Sequence, residues 1–289
     1  DTHMTLLLIH TGGTIGMSES PDGLTPEAGL VETAVAALMA SGVSLQTEVF
    51  TPLIDSADMG PAGWNRILEA IHAAPGADVI VTHGTDTMAF TGAALAQALA
   101  GSGRRVVLCG AMQPLGTGGD AEGNLHLAMG AARSAPAGVW LAFAGELLPA
   151  EGLAKIDSHA DAAFRALPQD PLPARAPKAA PFGAARVAAL TLSPGLPAAL
   201  LRAALAELDG VVLRVYGAGT AMNDPAVLAA LAGAATRGVR LRAVSQCLSG
   251  GLAPGTYAAG AGLWAAGVEN GGLETTEAAL VRLMLDLSA

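Results

Sequence analysis

The chain has 289 residues, of which 52% are hydrophobic and 14% charged, and a formal net charge of −10 at pH 7. This composition excludes a disordered or fibrous protein and leaves room for one large or two moderate domains with an ample apolar core. The acidic balance argues against a nucleic-acid partner, whose phosphates call for a basic surface, and is read as solubility.

In chain order, an apolar strand at Leu6–His10 leads through a glycine loop to an amphipathic helix at Val31–Met39. A strand at Thr47–Phe50, a helix at Pro61–His72 and a strand at Asp78–Val81 follow. A helix at Thr87–Ala100 then leads to a strand at Val106–Cys109, and a helix at Ala121–Arg133 to a strand at Val139–Phe143. Helices of ten to fifteen residues between short β-rich runs imply βαβ units and a mainly parallel sheet. The pattern stops between Leu167 and Arg186, where "LPQDPLPARAPKAAPFGAAR" is proline-rich and aperiodic. Alternation resumes with strands at Val187–Leu192, Val211–Val215 and Val239–Val244 and helices at Leu196–Leu208, Pro225–Arg237 and Thr275–Leu287. The expected fold is α/β. A larger amino-terminal domain (residues 1–170) has a mainly parallel sheet flanked by helices. A linker (171–186) joins it to a smaller α/β domain (187–289).

A mean hydropathy of +0.46 invites a membrane reading. The longest charge-free run, Ala243 to Val268, is broken by Ser249-Gly250-Gly251 and Pro254-Gly255, so it does not read as a spanning helix. Cys109 and Cys247 follow apolar runs, are too few for a disulfide framework and read as buried free thiols. No secretory signal pattern opens the chain, Asp1-Thr2-His3 reads as a tag ahead of Met4, and a cytoplasmic location is expected. Without H-E-x-x-H, C-x-x-C or a calcium loop, neither a metal nor a cofactor is expected.

Open α/β sheets bind ligands beyond the carboxyl ends of their strands, which directs attention to three loops. "HTGGTIGM" (His10–Met17) exposes backbone amides through Gly12 and Gly13 beside Thr14. It lacks the lysine of a phosphate loop, and it reads either as a simple turn or anion nest or as the seat of a catalytic threonine. "THGTDTM" places Thr85 next to Asp86, which also suits the amino-terminal cap of the following helix. "CGAMQPLGTGGDAEGN" places Asp120 as a cap for the next helix. Two threonines on neighbouring loops, with a carboxylate and glycine amides between them, suit acyl transfer: one hydroxyl attacks, amides hold the oxyanion, and the second hydroxyl relays a proton. The base is open among His10, His83, His126, His159 and a desolvated lysine. Of the two lysines, Lys178 falls in the linker and Lys155 just past the first-domain strands, where it is either the base or a surface residue.

"TGGTIGM", "HGTDTM" and "GAMQP…GD..GN", in this order and each after a strand, resemble the bacterial L-asparaginase family over nearly the whole chain. "SQCLSGGLAPGTYAAG" is similar to its cytosolic type I branch. The resemblance implies hydrolysis of L-asparagine to L-aspartate and ammonia through a covalent acyl-threonine. Glutamine, another small amide, or mere binding of asparagine by a non-catalytic sensor are the alternatives. Thr14 matches the nucleophile, and Thr85, Asp86 and Lys155 match the second hydroxyl–carboxylate–lysine cluster. Ser56, in "LIDSADM", matches a residue holding the substrate α-carboxylate, and Asp86 also takes the α-ammonium. Gly13 and Gly84 match the surface of close approach. The family also implies a homodimer or homotetramer; the composition itself points to no membrane partner.

One position departs from the family pattern. Relatives carry G-Y-x-P in the loop after the first strand, whereas Gly23-Leu24-Thr25-Pro26 stands here. Leu24 has no hydroxyl to relay a proton to Thr14, and a lost acid–base group typically costs about 10²–10⁴-fold in rate. Three outcomes are open: Thr85 and Lys155 activate the nucleophile unaided, another hydroxyl such as Ser18, Ser20 or Thr25 substitutes, or the protein is a weak enzyme.

Overall fold

A computed structural model describes residues 4–289; the tag-like Asp1–His3 lie outside them. Contacts divide the chain into two units, one running to Ala166 and including Leu172–Ala180, the other made of Leu167–Pro171 and Pro181–Ala289. Residues 171–186 contain no helix or strand, and their backbone is shared between the two units. Arg175 N–H, for instance, donates to Ala100 C=O in the first, and Gly183 N–H to Ser288 Oγ in the second.

The first unit opens with β1 (Met4–His10), a 3₁₀ turn (Thr14–Gly16), and a hairpin of β2 (Met17–Ser20) and β3 (Gly23–Pro26). There follow α1 (Leu30–Ala37), β4 (Val43–Val49), a 3₁₀ turn (Ser56–Asp58) and α2 (Pro61–Ala73). Then come β5 (Asp78–Thr82), α3 (Met88–Ala98), β6 (Arg105–Cys109), α4 (Ala121–Ser134) and β7 (Gly138–Phe143). The short strands β8 (Glu146–Pro149), β9 (Leu153–Lys155) and β10 (Phe164–Ala166) close the unit. The sheet order is β4-β1-β5-β6-β7-β8, parallel except for the β7–β8 pair.

Burial explains why the central strands read as continuous apolar runs. Val79, Ile80 and Val81 on β5 and Val106, Val107 and Leu108 on β6 are fully buried, so both faces of the sheet are covered. Each aliphatic side chain taken from water in this way contributes roughly 1.5–3 kcal/mol. Ten of the eleven residues of α3 are buried, which accounts for its composition of alanines with Gly92. A methyl at Gly92 would lie 3.1 Å from the Ala150 carbonyl oxygen, so the helix sits hard against the segment before β9. β4 begins four residues before the sequence suggests, because this edge strand is largely exposed and its polar Ser44, Gln46 and Glu48 carry no apolar signal.

The second unit contains β11 (Val187–Thr191), α5 (Ala198–Glu207), β12 (Gly210–Val215), α6 (Pro225–Thr236) and β13 (Arg240–Ser245). It ends with α7 (Ala261–Ala265), β14 (Glu269–Asn270) and α8 (Thr276–Asp286). Its four strands run parallel in sequence order. The fold is therefore α/β in both parts. Among the described residues no helix is long and apolar enough to cross a membrane.

Candidate active site

The strand order of the first unit fixes where a ligand can sit. After β1 the chain moves to β4 on one side, and after β5 it moves to β6 on the other. The crevice beyond the carboxyl ends of β1 and β5 is thus the topological switch point of the sheet. The Thr14 loop leaves β1 there, and the Thr85–Asp86 loop leaves β5. Backbone bonds extend the ladder past the strands: Thr11 N–H donates to Thr82 C=O, His83 N–H to Cys109 C=O, and Ile54 N–H to Thr11 C=O. These bonds carry the hydrogen bonding of the sheet into the loops.

A cavity of about 230 Å³ lies at this point. Thr14, Thr85, Asp86 and Lys155 line it together with Ser56, Gly13 and Gly84, so every site residue expected from the sequence meets in one place. Met17, Asp55, Ala111, Met112 and Ser158 complete the lining. Its size suits a ligand well below drug dimensions.

The two glycines are required by contact. Gly13 has φ 97°, and a methyl there would lie 2.6 Å from the Gly84 nitrogen. A methyl on Gly84 would in turn lie 2.7 Å from Ser56 Oγ. The Thr14 and Thr85 loops therefore meet through bare backbone with the Ser56 side chain against the second, and the amides around Thr14 and Thr85 come within reach of one small ligand.

Lys155 Nζ donates to Thr85 Oγ1 at 2.9 Å and to Asp86 Oδ1 at 2.6 Å. Its side chain is largely shielded, at 17% exposure, while that of Asp86 is 71% exposed and opens towards solvent. Lys155 is placed by β9, which pairs with β10 so that Lys155 faces Phe164. Phe164 packs edge-on against Phe143 with ring centroids 5.0 Å apart, fixing the pair to β7. Ser56 is held by the Asp55 carboxylate, which accepts from Ala57 N–H, and by Thr87 Oγ1, which donates to Ser56 C=O at 2.6 Å.

Two carboxylates do other work than the capping expected of them. α3 starts after Thr87, and the Asp86 carboxylate goes to Lys155 instead of the helix amides. Asp120 does precede α4, but its oxygens accept from the amides of Met112 (2.8 Å) and Gln113 (2.9 Å) and so shape the third loop.

The histidine candidates for the base do not meet Thr14. His10 and His83 are buried, and desolvation lowers each to a pKa of about 4. His126 lines a separate cavity with Met4, Leu6 and Val43, residues at the amino-terminal ends of β1 and β4. His159 does not line the site but takes a 2.7 Å hydrogen bond at Nδ1 with Ser158 Oγ, whose residue does. Lys178 is exposed and does not line the cavity. Burial pushes the Cys109 thiol up to about 12, so it is no nucleophile.

Leu24 lies on β3 opposite Glu19 and is 47% exposed. Of that hairpin only Met17 lines the cavity. Ser20 Oγ is occupied with Gly23 C=O at 2.6 Å, and neither Ser18 nor Thr25 reaches the lining. The hydroxyl that the cavity does hold, beyond Thr14, Thr85 and Ser56, is Ser158. Sequence reading passed over Ser158 although it lies three residues from Lys155. Asp55 had a signal of its own: an aspartate just before Ser56, poised for a side chain-to-backbone turn.

Comparison with known proteins supplies the wider setting. The model of the amino-terminal asparaginase domain matches residues 5–180, and that of the glutaminase/asparaginase carboxyl-terminal domain matches residues 186–289. L-asparaginase 1 of Escherichia coli K12 is 32% identical over 98% of this chain and 92% of its own. Among solved structures, the thermostable L-asparaginase from Thermococcus kodakarensis superposes with a TM-score of 0.87 at 29% identity, covering 99% of this chain and 93% of that one. L-asparaginase I from Vibrio cholerae gives the same TM-score, identity and coverage.

Proposed function

The chain belongs to the asparaginase family, and from that premise we propose that it is an amidohydrolase converting L-asparagine to L-aspartate and ammonia. The observation that carries the reading is the bonding of Lys155 Nζ to both Thr85 Oγ1 and Asp86 Oδ1 within the cavity that holds Thr14. A zwitterionic amino acid needs a charge-assisted anchor at each end. Asp86 takes the α-ammonium, and Ser56 with the neighbouring amides takes the α-carboxylate.

Thr14 Oγ1 then attacks the side-chain amide carbon. Its proton passes to the Thr85–Lys155 pair and returns to the leaving nitrogen. The oxyanion is met by the N–H of the Gly84–Thr85 peptide, which no hydrogen bond among the described residues takes up. Breaking the C–N bond releases ammonia and leaves an ester on Thr14. Water attacks that ester, restoring the threonine and freeing aspartate. No metal or cofactor takes part; the enzyme acts in the cytoplasm as a homodimer or homotetramer.

The test is ammonia release from L-asparagine and L-glutamine by the purified chain and by Thr14→Ala. Turnover abolished in Thr14→Ala, with an acyl adduct on Thr14 seen by mass spectrometry after rapid quench, is the expected result. Leu24 favours a second reading, a sensor that binds asparagine without turnover. Saturable asparagine binding with no ammonia from either substrate would establish the sensor and end the first reading.

A further inference from the structure

The proposed oxyanion donor and the Gly84 carbonyl belong to one peptide unit, and that carbonyl is tied into the interior. His83 Nδ1 lies 2.6 Å from Gly84 O, His83 Nε2 lies 2.7 Å from Thr91 Oγ1, and Trp64 Nε1 lies 3.0 Å from the same hydroxyl. Trp64 is 3% exposed, and His83 and Thr91 are fully buried. None of the three lines the cavity.

The two ends of this chain determine the position of every proton within it. An indole N–H can only donate, and a carbonyl oxygen can only accept. Nδ1 of His83 must therefore carry a proton for Gly84. In a neutral imidazole Nε2 must then accept, so the Thr91 hydroxyl points its proton at Nε2 and accepts from Trp64. The order is Trp64 N–H to Thr91 O–H to His83 to Gly84 C=O, with no alternative direction. Burial keeps the imidazole neutral down to a pKa of about 4. The His83 backbone is fixed as well, through its N–H to Cys109 C=O at 3.0 Å.

Resting on the amidohydrolase reading, we propose that Trp64, Thr91 and His83 are positioning residues that aim and polarise the Gly84–Thr85 peptide. A trans peptide carries its C=O and N–H in opposite directions in one plane. Drawing the Gly84 carbonyl towards His83 turns the Thr85 N–H away from the interior, to the side where Thr85 lines the cavity. Donation to the carbonyl also draws electron density from the amide and strengthens its N–H as a donor. Oxyanion stabilisation depends on donors aimed beforehand, so this chain acts on the chemical step and leaves the substrate anchors untouched. In Thr91 the hydroxyl is spent on His83, not on its own helix.

Two measurements on the full chain test the proposal. The first is the ¹⁵N spectrum of histidine-labelled protein, with His83 assigned by its loss in His83→Asn. The expected signature is a protonated Nδ1 and an unprotonated Nε2, held from pH 8 to about 5. A proton on Nε2 would overturn the chain whether or not the protein is active. The second is the kinetics of paired variants. Asparagine at position 83 keeps an N–H near the Nδ1 position, whereas glutamine places its amide at the Nε2 position and strands the Gly84 carbonyl. Loss of a whole oxyanion donor costs about 10²–10³-fold, so a misaimed one should cost at least about 10-fold. His83→Gln should lower kcat by that factor with KM within about two-fold, and His83→Asn should recover most of the loss. Thr91→Val and Thr91→Ser form the second pair, the serine restoring the hydroxyl, and they decide the matter if His83→Gln does not fold. Unchanged kcat in folded His83→Gln, or equal losses in both members of a pair, would refute the positioning role. A wild type inactive on either amide would defeat the functional reading, while the tautomer would still decide the chain.

Discussion

Lowering the pH from 7 to 4.5 should destabilise the folded chain through two buried histidines. His10 and His83 fall from an ordinary 6.5 to about 4 on folding, both because burial penalises the charged ring. The folded pKa lies below the unfolded one, so the unfolded chain binds more protons between pH 4 and 6.5. Stability therefore rises with pH through that window, is complete above 6.5, and is lost as the pH falls. At pH 4.5 the lost contribution is about 2–3 kcal/mol for each histidine and about 5 for the pair, relative to pH 7. That is a large part of the roughly 5–15 kcal/mol of a typical domain. Glu277, raised by burial, works in the opposite sense: its contribution is present at low pH and fades as the pH rises through its folded value. The assay is urea unfolding followed by tryptophan fluorescence at pH 7 and 4.5, on wild type and His83→Asn. Subtracting the variant cancels Glu277 and every other shared group, leaving the His83 contribution. An acid loss of equal size in both proteins would refute the assignment.

Leu24→Tyr restores a hydroxyl to the hairpin and should raise kcat by about 10-fold or more if proton transfer from Thr14 limits the rate; steady-state ammonia release measures it. Gly13→Ala places a methyl 2.6 Å from the Gly84 nitrogen at φ 97°, and should cost about 2–3 kcal/mol of stability together with nearly all activity. Thermal unfolding beside the activity assay checks both. A thiol reagent at pH 8 should modify the exposed Cys247 and spare Cys109, whose buried thiol is raised to about 12, until urea is added. Mass spectrometry of the labelled chain counts the adducts.

The parallel sheet was legible because its inner strands are buried on both faces and so show as unbroken apolar runs, "VIV" (79–81) and "VVLC" (106–109). The hairpin β2–β3 gave no such trace. Its residues, Met-Ser-Glu-Ser and Gly-Leu-Thr-Pro, have no buried face, and periodicity reports only burial. β9 and β10 have three residues each, too few to show a period of two. In the site, Thr14, Thr85, Asp86 and Lys155 could be named because each sits in a recognisable local stretch. Asp86 does not cap α3, and Asp120 stands at the N-cap position of α4 without capping through its side chain, for one physical reason: a carboxylate goes to its strongest donors, which here are Lys155 and two amides of the loop before α4. The chain from Trp64 to His83 was hidden for the same reason. Its members lie 27 and 8 positions apart, and the packing of α2 against α3 brings Trp64 to Thr91.

Proton transfer and oxyanion stabilisation are separate demands, and this chain meets them with separate parts. Leu24 stands on an exposed hairpin, whereas His83 is enclosed between β5 and α3 and acts only through the Gly84 carbonyl. Groups that share no partner contribute additively to a barrier, so their effects on rate multiply. A protein carrying both Leu24→Tyr and His83→Gln should then show the product of the two single changes, within about two-fold. A combined effect well away from the product would mean that both substitutions act on one event. The tyrosine hydroxyl would in that case touch the oxyanion itself, and relay of the Thr14 proton would have to be assigned to the Thr85–Lys155 pair alone.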